Sequence, residues 1–282
     1  MTNDKFSFYL SSYSFVDLVG EESEKFLNGQ LTISAETPKT NTACLAAFCN
    51  PKGRIVSLFH IVKIDRGYRL FMPSDLVNPT ITYLKKYALF FKVELIPASE
   101  KPCIIGFVNR GNDYSDIDAQ LIDIANTQLS IATLTEENPH SHLANVTTEE
   151  TDYEWYYHLA QNKIPWINQQ SMETFLPHDL NLPELKAIDF NKGCYTGQEV
   201  IARMQYKGKL KQHLQLLEGS VQTCKEDNLG LFQNDKKVGT VICYSPTKQK
   251  SGLLLAIVKD KANFDDFFRL DDKNTSILKI VK

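Results

Sequence analysis

The sequence lacks any apolar run long enough to cross a membrane. Its longest candidate, Leu253 to Val258, is strand-sized, whereas a spanning helix needs about 20 residues. It also lacks an excess of basic charge. The 31 Lys and Arg residues against 34 Asp and Glu leave a net charge of −3, so no global positive field marks a nucleic-acid binder. The opening residues, MTNDKFSFYLSSYSF, contain no basic stretch followed by an apolar one, and no signal peptide is expected. There is no CxxC pair. The six cysteines, at 44, 49, 103, 194, 224 and 243, are scattered, which argues against a zinc site, a cluster site or a disulfide framework. These absences predict a reduced, cytoplasmic protein. What remains is ordinary globular composition, 43% hydrophobic and 23% charged, over 282 residues, enough for two or three packed units.

The most informative stretch is NKGCYTGQEVIAR, residues 191–203. Gly193 and Gly197 permit backbone angles closed to other residues and close approach by a ligand. Thr196 is placed to cap a short helix whose apolar side is Val200, Ile201 and Met204. Cys194 then precedes a helix N-terminus and lies near Lys192. Both features favour a thiolate. The alternative is a small cysteine packed beside a tight turn, the commoner fate of free cysteines. The flanking lysine and glycines favour the reactive reading.

Along the chain, Phe6, Phe8 and Leu10, then Phe15 and Leu18, alternate as a strand and its turn, and Gly20 leads into a short helix with Phe26 and Leu27 inward. Residues 43–49 and 54–64 predict strands around the turn Asn50-Pro51-Lys52-Gly53. A helix to about Leu89 follows, with Leu76, Ile81 and Leu84 on one face. Phe91 to Ile96 and Cys103 to Val108 read as further strands. Residues 109–150 carry little pattern, and His140 and His142 read as surface residues of a loop. Asp152 predicts the cap of a helix burying Trp155 and Leu159, ended by Pro165. After Arg203, Lys207, Lys209 and Lys211 make a basic stretch. Short β-like runs at 214–217, 229–232, 238–243 and 253–258 follow, suggesting a small antiparallel barrel or sandwich.

At KGCYTGQE the chain closely resembles the YgfZ family of folate-binding proteins of iron–sulfur cluster maintenance, also named tRNA-modifying proteins, which is related in fold to the glycine-cleavage T-protein, an aminomethyltransferase. SEKFLNGQLT (23–32), NPKGRI (50–55), LKKYALFFKV (84–93) and the run from Ile164 to Glu199 extend the resemblance over most of the chain. It implies an α+β fold. Two interleaved α/β subdomains, 1–42 with 137–206 and 43–136, would form a core of 1–206 around a central opening. A C-terminal antiparallel β-barrel would occupy 207–282. It further implies that Tyr13 and Trp155 line a pocket for tetrahydrofolate or a derivative, where a flat pterin would stack on aromatic faces. Lys192, Gly193, Tyr195, Gly197, Gln198, Glu199 and Arg203 are carried over as motif residues around the thiol of Cys194. Lys163 stands where the family often has glycine.

The resemblance also exposes a departure. Aminomethyltransferases carry paired aspartates where this chain has Ser57 and Leu58, neither able to act as a carboxylate. The leading expectation is therefore a folate-binding accessory protein for iron–sulfur enzymes, including those that thiomethylate tRNA. Its partners would be iron–sulfur clients or cluster-assembly proteins. Direct tRNA binding is not expected, because it normally needs a wide basic surface. No metal ligand set is expected, since one cysteine cannot hold a cluster alone. The alternatives are a folate-dependent one-carbon transferase or demethylase using Cys194 as nucleophile or acceptor with Glu199 as acid or base, and a non-catalytic scaffold in which Cys194 only packs.

Overall fold

The computed structural model describes residues 6–99, 102–109, 119–134, 151–220, 229–246, 251–270 and 277–281. His140, His142 and Cys224 lie outside the described residues. The period-two patterns of the first half fold as β1 (Phe6–Tyr9), β2 (Tyr13–Val19), β3 (Thr42–Cys49), β4 (Ile55–Ile64), β5 (Gly67–Pro73), β6 (Glu94–Pro97), β7 (Cys103–Val108), β8 (Ala119–Ile124) and β9 (Leu129–Leu134). They form one nine-stranded sheet in the order β1-β7-β9-β8-β3-β4-β5-β2-β6. The β3–β8 pairing is parallel and the others are antiparallel.

Both faces of this sheet are covered. Residues 55–62 of β4 are all buried, the mark of a strand sandwiched on both sides. On one face, Phe59 and Ile61 pack with Leu84 of α2 (Val77–Ala88). On the other, Val62 and Phe71 pack with Trp155 and Leu159 of α3 (Thr151–Gln161). The sheet curls strongly. Arg69 on β5 makes a two-pronged pair with Asp17 on β2, at 2.7 and 2.8 Å, and its Nη1 donates to Thr133 Oγ1 on β9 at 3.0 Å. Strands β8, β3 and β4 separate β9 from β5 in the sheet, so only curvature lets one side chain join them. Strand alternation puts Tyr13, Phe15, Asp17, Arg69 and Phe71 on the inner face of that curl.

The C-terminal strands β10 (Gln212–Ser220), β11 (Gly230–Gln233), β12 (Lys236–Pro246), β13 (Ser251–Lys259), β14 (Arg269–Leu270) and β15 (Leu278–Ile280) form a second, antiparallel sheet ordered β14-β11-β12-β13-β10-β15. Its two edges meet. Phe268 and Leu278 exchange backbone hydrogen bonds of 2.9 and 3.0 Å, closing the sheet on Leu217, Leu254 and Phe268. Closure removes the exposed edges that an open sheet would present. Helix α3 lies between the two sheets, where Ser245 Oγ on β12 donates to the Tyr153 carbonyl; beyond the helix, Cys243 Sγ of β12 donates to the Trp166 carbonyl at 3.0 Å. The fold is α+β. Among the described residues no helix is long and apolar enough to cross a membrane.

Local departures from expectation have identifiable causes. The strand expected from Phe91 begins only at Glu94, because the amides of Phe91 and Val93 bond within a turn, to the Ala88 and Phe91 carbonyls at 3.0 and 2.9 Å; the Phe91 ring lies edge-on to Phe26 of α1 (Ser23–Asn28), centroids 5.3 Å apart. Residues 119–134, which showed little pattern, supply β8 and β9. Asp152 does not cap α3. It lies inside the first turn, and its Oδ2 accepts from Ser11 Oγ at 2.7 Å and Ser12 N at 2.9 Å. Helix α3 stops at Gln161, short of Pro165, and Lys163 takes the left-handed conformation (φ 55°), which explains the resemblance's glycine there.

Candidate functional site

The cysteine turn is held by two independent devices. The first is Lys192. Its ammonium donates to the carbonyls of Asn28, Leu31 and Ile33 at 2.9, 2.7 and 2.8 Å, using all three of its N–H bonds. Burial lowers its pKa to about 8, opposed by the nearby Asp189 carboxylate. The expectation that Lys192 serves the thiol is therefore corrected: its donors point inward and lock the turn to the segment after α1. Tyr195 is buried beneath the same ammonium, 5.0 Å from ring centre to Nζ, and burial raises its pKa. Cys194, between these two anchored residues, is exposed.

The second device is a contact between two glycines. Gly197, not Thr196, is the N-cap of α4 (Gln198–Lys207), in the left-handed conformation at φ 85° with no side-chain cap. A methyl group there would lie 2.6 Å from the Asn50 carbonyl oxygen and 3.1 Å from Gly53 Cα. Gly53 is also left-handed (φ 72°), and a methyl group there would lie 3.0 Å from Val200. The NPKG turn, held by Asn50 Oδ1 accepting from Lys52 N and Arg54 N at 3.0 Å each, thus seats directly on the start of α4. Thr196 bonds sideways instead, through its amide to the Gly29 carbonyl at 3.2 Å. Gly193 has no left-handed φ, and a methyl group there would meet nothing within 4 Å. The space beside Cys194 is open. Ile201 is the buried residue of α4, Gln198 is half-buried, and Glu199 and Arg203 are exposed.

Tyr13 and Trp155 come together, but as buried neighbours. Trp155 is 0% exposed and Tyr13 4%, so neither ring presents a free face. Gly106 of β7 is glycine for this reason: a methyl group there would lie 2.6 Å from the Trp155 ring. Burial raises the Tyr13 pKa, and the neighbouring Trp155 Nε1–H makes no hydrogen bond among the described residues. Three buried polar atoms near the inner face have no partner among the described residues: Trp155 Nε1, Asp152 Oδ1 and His60 Nε2. His60 pairs with Phe71 across β4 and β5, and burial pushes its pKa down to about 4. Asp152 and His60 escaped sequence reasoning. The only signals were a lone histidine in the apolar run of β4 and an acid directly before Tyr153-Glu154-Trp155, which reads as a helix cap.

Ser57 and Leu58 occupy opposite faces of β4. Ser57, fully buried, accepts from Thr80 Oγ1 on α2 at 2.9 Å and lies beside Met72 Sδ. Leu58 faces the other side with His60. Neither supplies an acid.

No family model matches the chain. It is 26% identical to tRNA-modifying protein YgfZ of Aliivibrio fischeri (strain ATCC 700601 / ES114), covering 93% of this chain and 88% of that one. It is 28% identical to the protein of the same name from Escherichia coli (strain SE11), over 94% and 89%. Among solved structures, glycine cleavage system aminomethyltransferase T from Bartonella henselae superposes with a TM-score of 0.73, covering 99% of this chain and 85% of that one at 12% identity. In sequence the chain is similar to the YgfZ proteins over most of its length, and its fold is that of the aminomethyltransferase.

Proposed function

We propose that the protein binds a folate on the inner face of the curled sheet and, with Cys194, supports tRNA modification by assisting iron–sulfur enzymes in the cytoplasm. The observation that carries this reading is the rigid presentation of one exposed thiol. Lys192 and the Gly53–Gly197 contact fix the turn on both sides, and space beside Gly193 leaves room for an approaching group. The names of the relatives support the link to tRNA.

The residues present fit a pterin through their polar edges. Trp155 Nε1 is a buried donor and Asp152 Oδ1 a buried acceptor, both unpaired. Unpaired buried groups of this kind each cost about 1–3 kcal/mol unless a ligand meets them. Arg69, held by Asp17 and lying 3.9 Å over the Phe15 ring, adds a fixed cation on the same face. Trp155 would bind through its N–H edge, since its face is covered by Gly106. A bound folate supplies a carrier for a one-carbon unit. Asp152 and Trp155 orient it. The one-carbon transferase reading is weaker, because Ser57 and Leu58 leave the inner face without the acid such chemistry needs.

The test is an anaerobic titration with tetrahydrofolate and 5-formyltetrahydrofolate, followed by tryptophan fluorescence. Trp166 remains as reporter when Trp155 is replaced. Saturable binding kept in Cys194→Ser and weakened in Trp155→Phe and Asp152→Asn is expected. Binding unchanged in both of the latter variants, or no binding of either folate, overturns the proposed site.

A further inference from the structure

We propose that the C-terminal half of α4 and the link after it form a contact surface for single-stranded RNA. Arg203, Tyr206 and Lys207 stand at i, i+3 and i+4, one stripe of the helix, and all three are exposed. Lys209 and Lys211 continue the exposed cations into the link. Gly208 ends the helix in an extended conformation packed against Met204, where a methyl group would lie 2.5 Å from the Met204 carbonyl oxygen.

Three observations set this patch apart from an ordinary solvated helix end. Residues 200–217 contain no Asp or Glu. Some surface lysines elsewhere are paired, Lys25 with Glu22 and Lys92 with Glu21. Among the described residues, Arg203, Lys207, Lys209 and Lys211 have no carboxylate within ion-pair distance, and Glu199 bounds the stripe one turn earlier. Finally, Tyr206 is 69% exposed, and its ring is braced edge-on by Phe190 with centroids 6.0 Å apart. A supported aromatic ring among unpaired cations is how single strands are held, bases stacking on the ring while the cations track phosphates.

An acidic protein is the competing partner. Three of the four cations are lysines, a residue depleted in protein interfaces but suited to phosphate, and this favours RNA. The chain's net charge of −3 does not weigh against a patch this small, because charges beyond about 8 Å are largely screened at physiological salt. The choice of RNA rests on the tRNA-modification reading and departs from the expectation of no direct tRNA contact, since a single strand is held by a narrow stripe of cations and one stacking ring rather than a wide basic surface. The test below involves neither folate nor Cys194, so the two can fail separately.

The experiment is fluorescence anisotropy of a labelled single-stranded RNA oligonucleotide with the full chain, from about 50 to 200 mM salt. Four phosphate contacts predict a log–log salt slope of about −2.8. Tyr206→Ala should weaken binding about five- to 150-fold, the loss typical of one stacked base. Removing the four cations together should flatten the salt slope, while Lys85→Ala with Lys86→Ala, two exposed lysines of α2, should leave binding unchanged. Absence of binding, equal loss in the α2 variant, no effect of Tyr206→Ala, or competition by polyglutamate as strong as by unlabelled RNA would each overturn the proposal. The last result would mark the patch as an acidic-protein surface.

Discussion

Gly53 and Gly197 touch back to back: both are left-handed, and a methyl group on Gly197 would lie 3.1 Å from Gly53 Cα. The two motifs are 144 positions apart in sequence and form one structural unit, the seat of the exposed thiol.

This contact separates the two glycines of the cysteine motif. Gly197→Ala combines a left-handed φ with a clash against the Asn50 carbonyl and should cost about 3 kcal/mol. Gly193→Ala meets open space and should stay within about 0.5 kcal/mol. Urea unfolding of both variants decides it. Equal losses would mean that the turn does not seat on the NPKG segment as described.

Lys192→Met removes a buried ammonium and leaves three carbonyls without their donor, a loss of about 3 kcal/mol. The lysine's pH behaviour is a separate check. Its folded pKa, about 8, lies below the ordinary 10.5. The unfolded chain therefore binds more protons between those values. The stability of the wild type relative to Lys192→Met should rise from pH 8 towards 10.5 and fall as pH drops through 8. A flat difference across that window would contradict the buried charge.

His60 should make the fold acid-sensitive. Its pKa falls from 6.5 unfolded to about 4 folded. The neutral ring's contribution is complete above pH 6.5 and is lost as pH falls towards 4, with a slope of at most about 1.4 kcal/mol per pH unit. His60→Leu should abolish that slope and be the more stable protein at pH 5. Thermal melts from pH 4 to 7 would show whether the two curves converge above 6.5.

Gly106 and Trp155 should behave as one packing unit. Gly106→Ala drives a methyl group to 2.6 Å from the indole in a core without slack and should cost about 1–3 kcal/mol. Trp155→Phe frees that space, so adding Gly106→Ala to it should cost much less. A double-mutant cycle with additive losses would show that the ring does not rest on Gly106.

Much of the fold was legible because its cause is local. Alternation marked β1 and β2, apolar runs marked β3, β4 and β7, and the apolar stripe of Leu76, Ile81 and Leu84 marked α2. The β-runs after 207 announced the second sheet. β8 and β9 were obscure because their alternation is weak and their pairing is with distant strands. At the site, the motif KGCYTGQE pointed to Cys194, and residue types alone suggested that Lys192 would attend it. What reversed that reading was the position of the Asn28, Leu31 and Ile33 carbonyls, contributed by a segment about 160 positions away.

The amino-acid sequence by itself determined most of the strands and helices, the similarity to the YgfZ proteins, the place of the cysteine turn and the missing acids at 57 and 58, since each depends on residue type and near-neighbour spacing. Only the tertiary structure decided where Lys192 spends its charge, that Gly197 rests on Gly53, that Trp155 is enclosed over Gly106, and that Tyr206 stands among cations no carboxylate neutralises. Those facts depend on which surfaces the curl of the sheet and the packing of α3 and α4 bring together, and burial, close contact and ion pairing have no meaning until distant segments share a space.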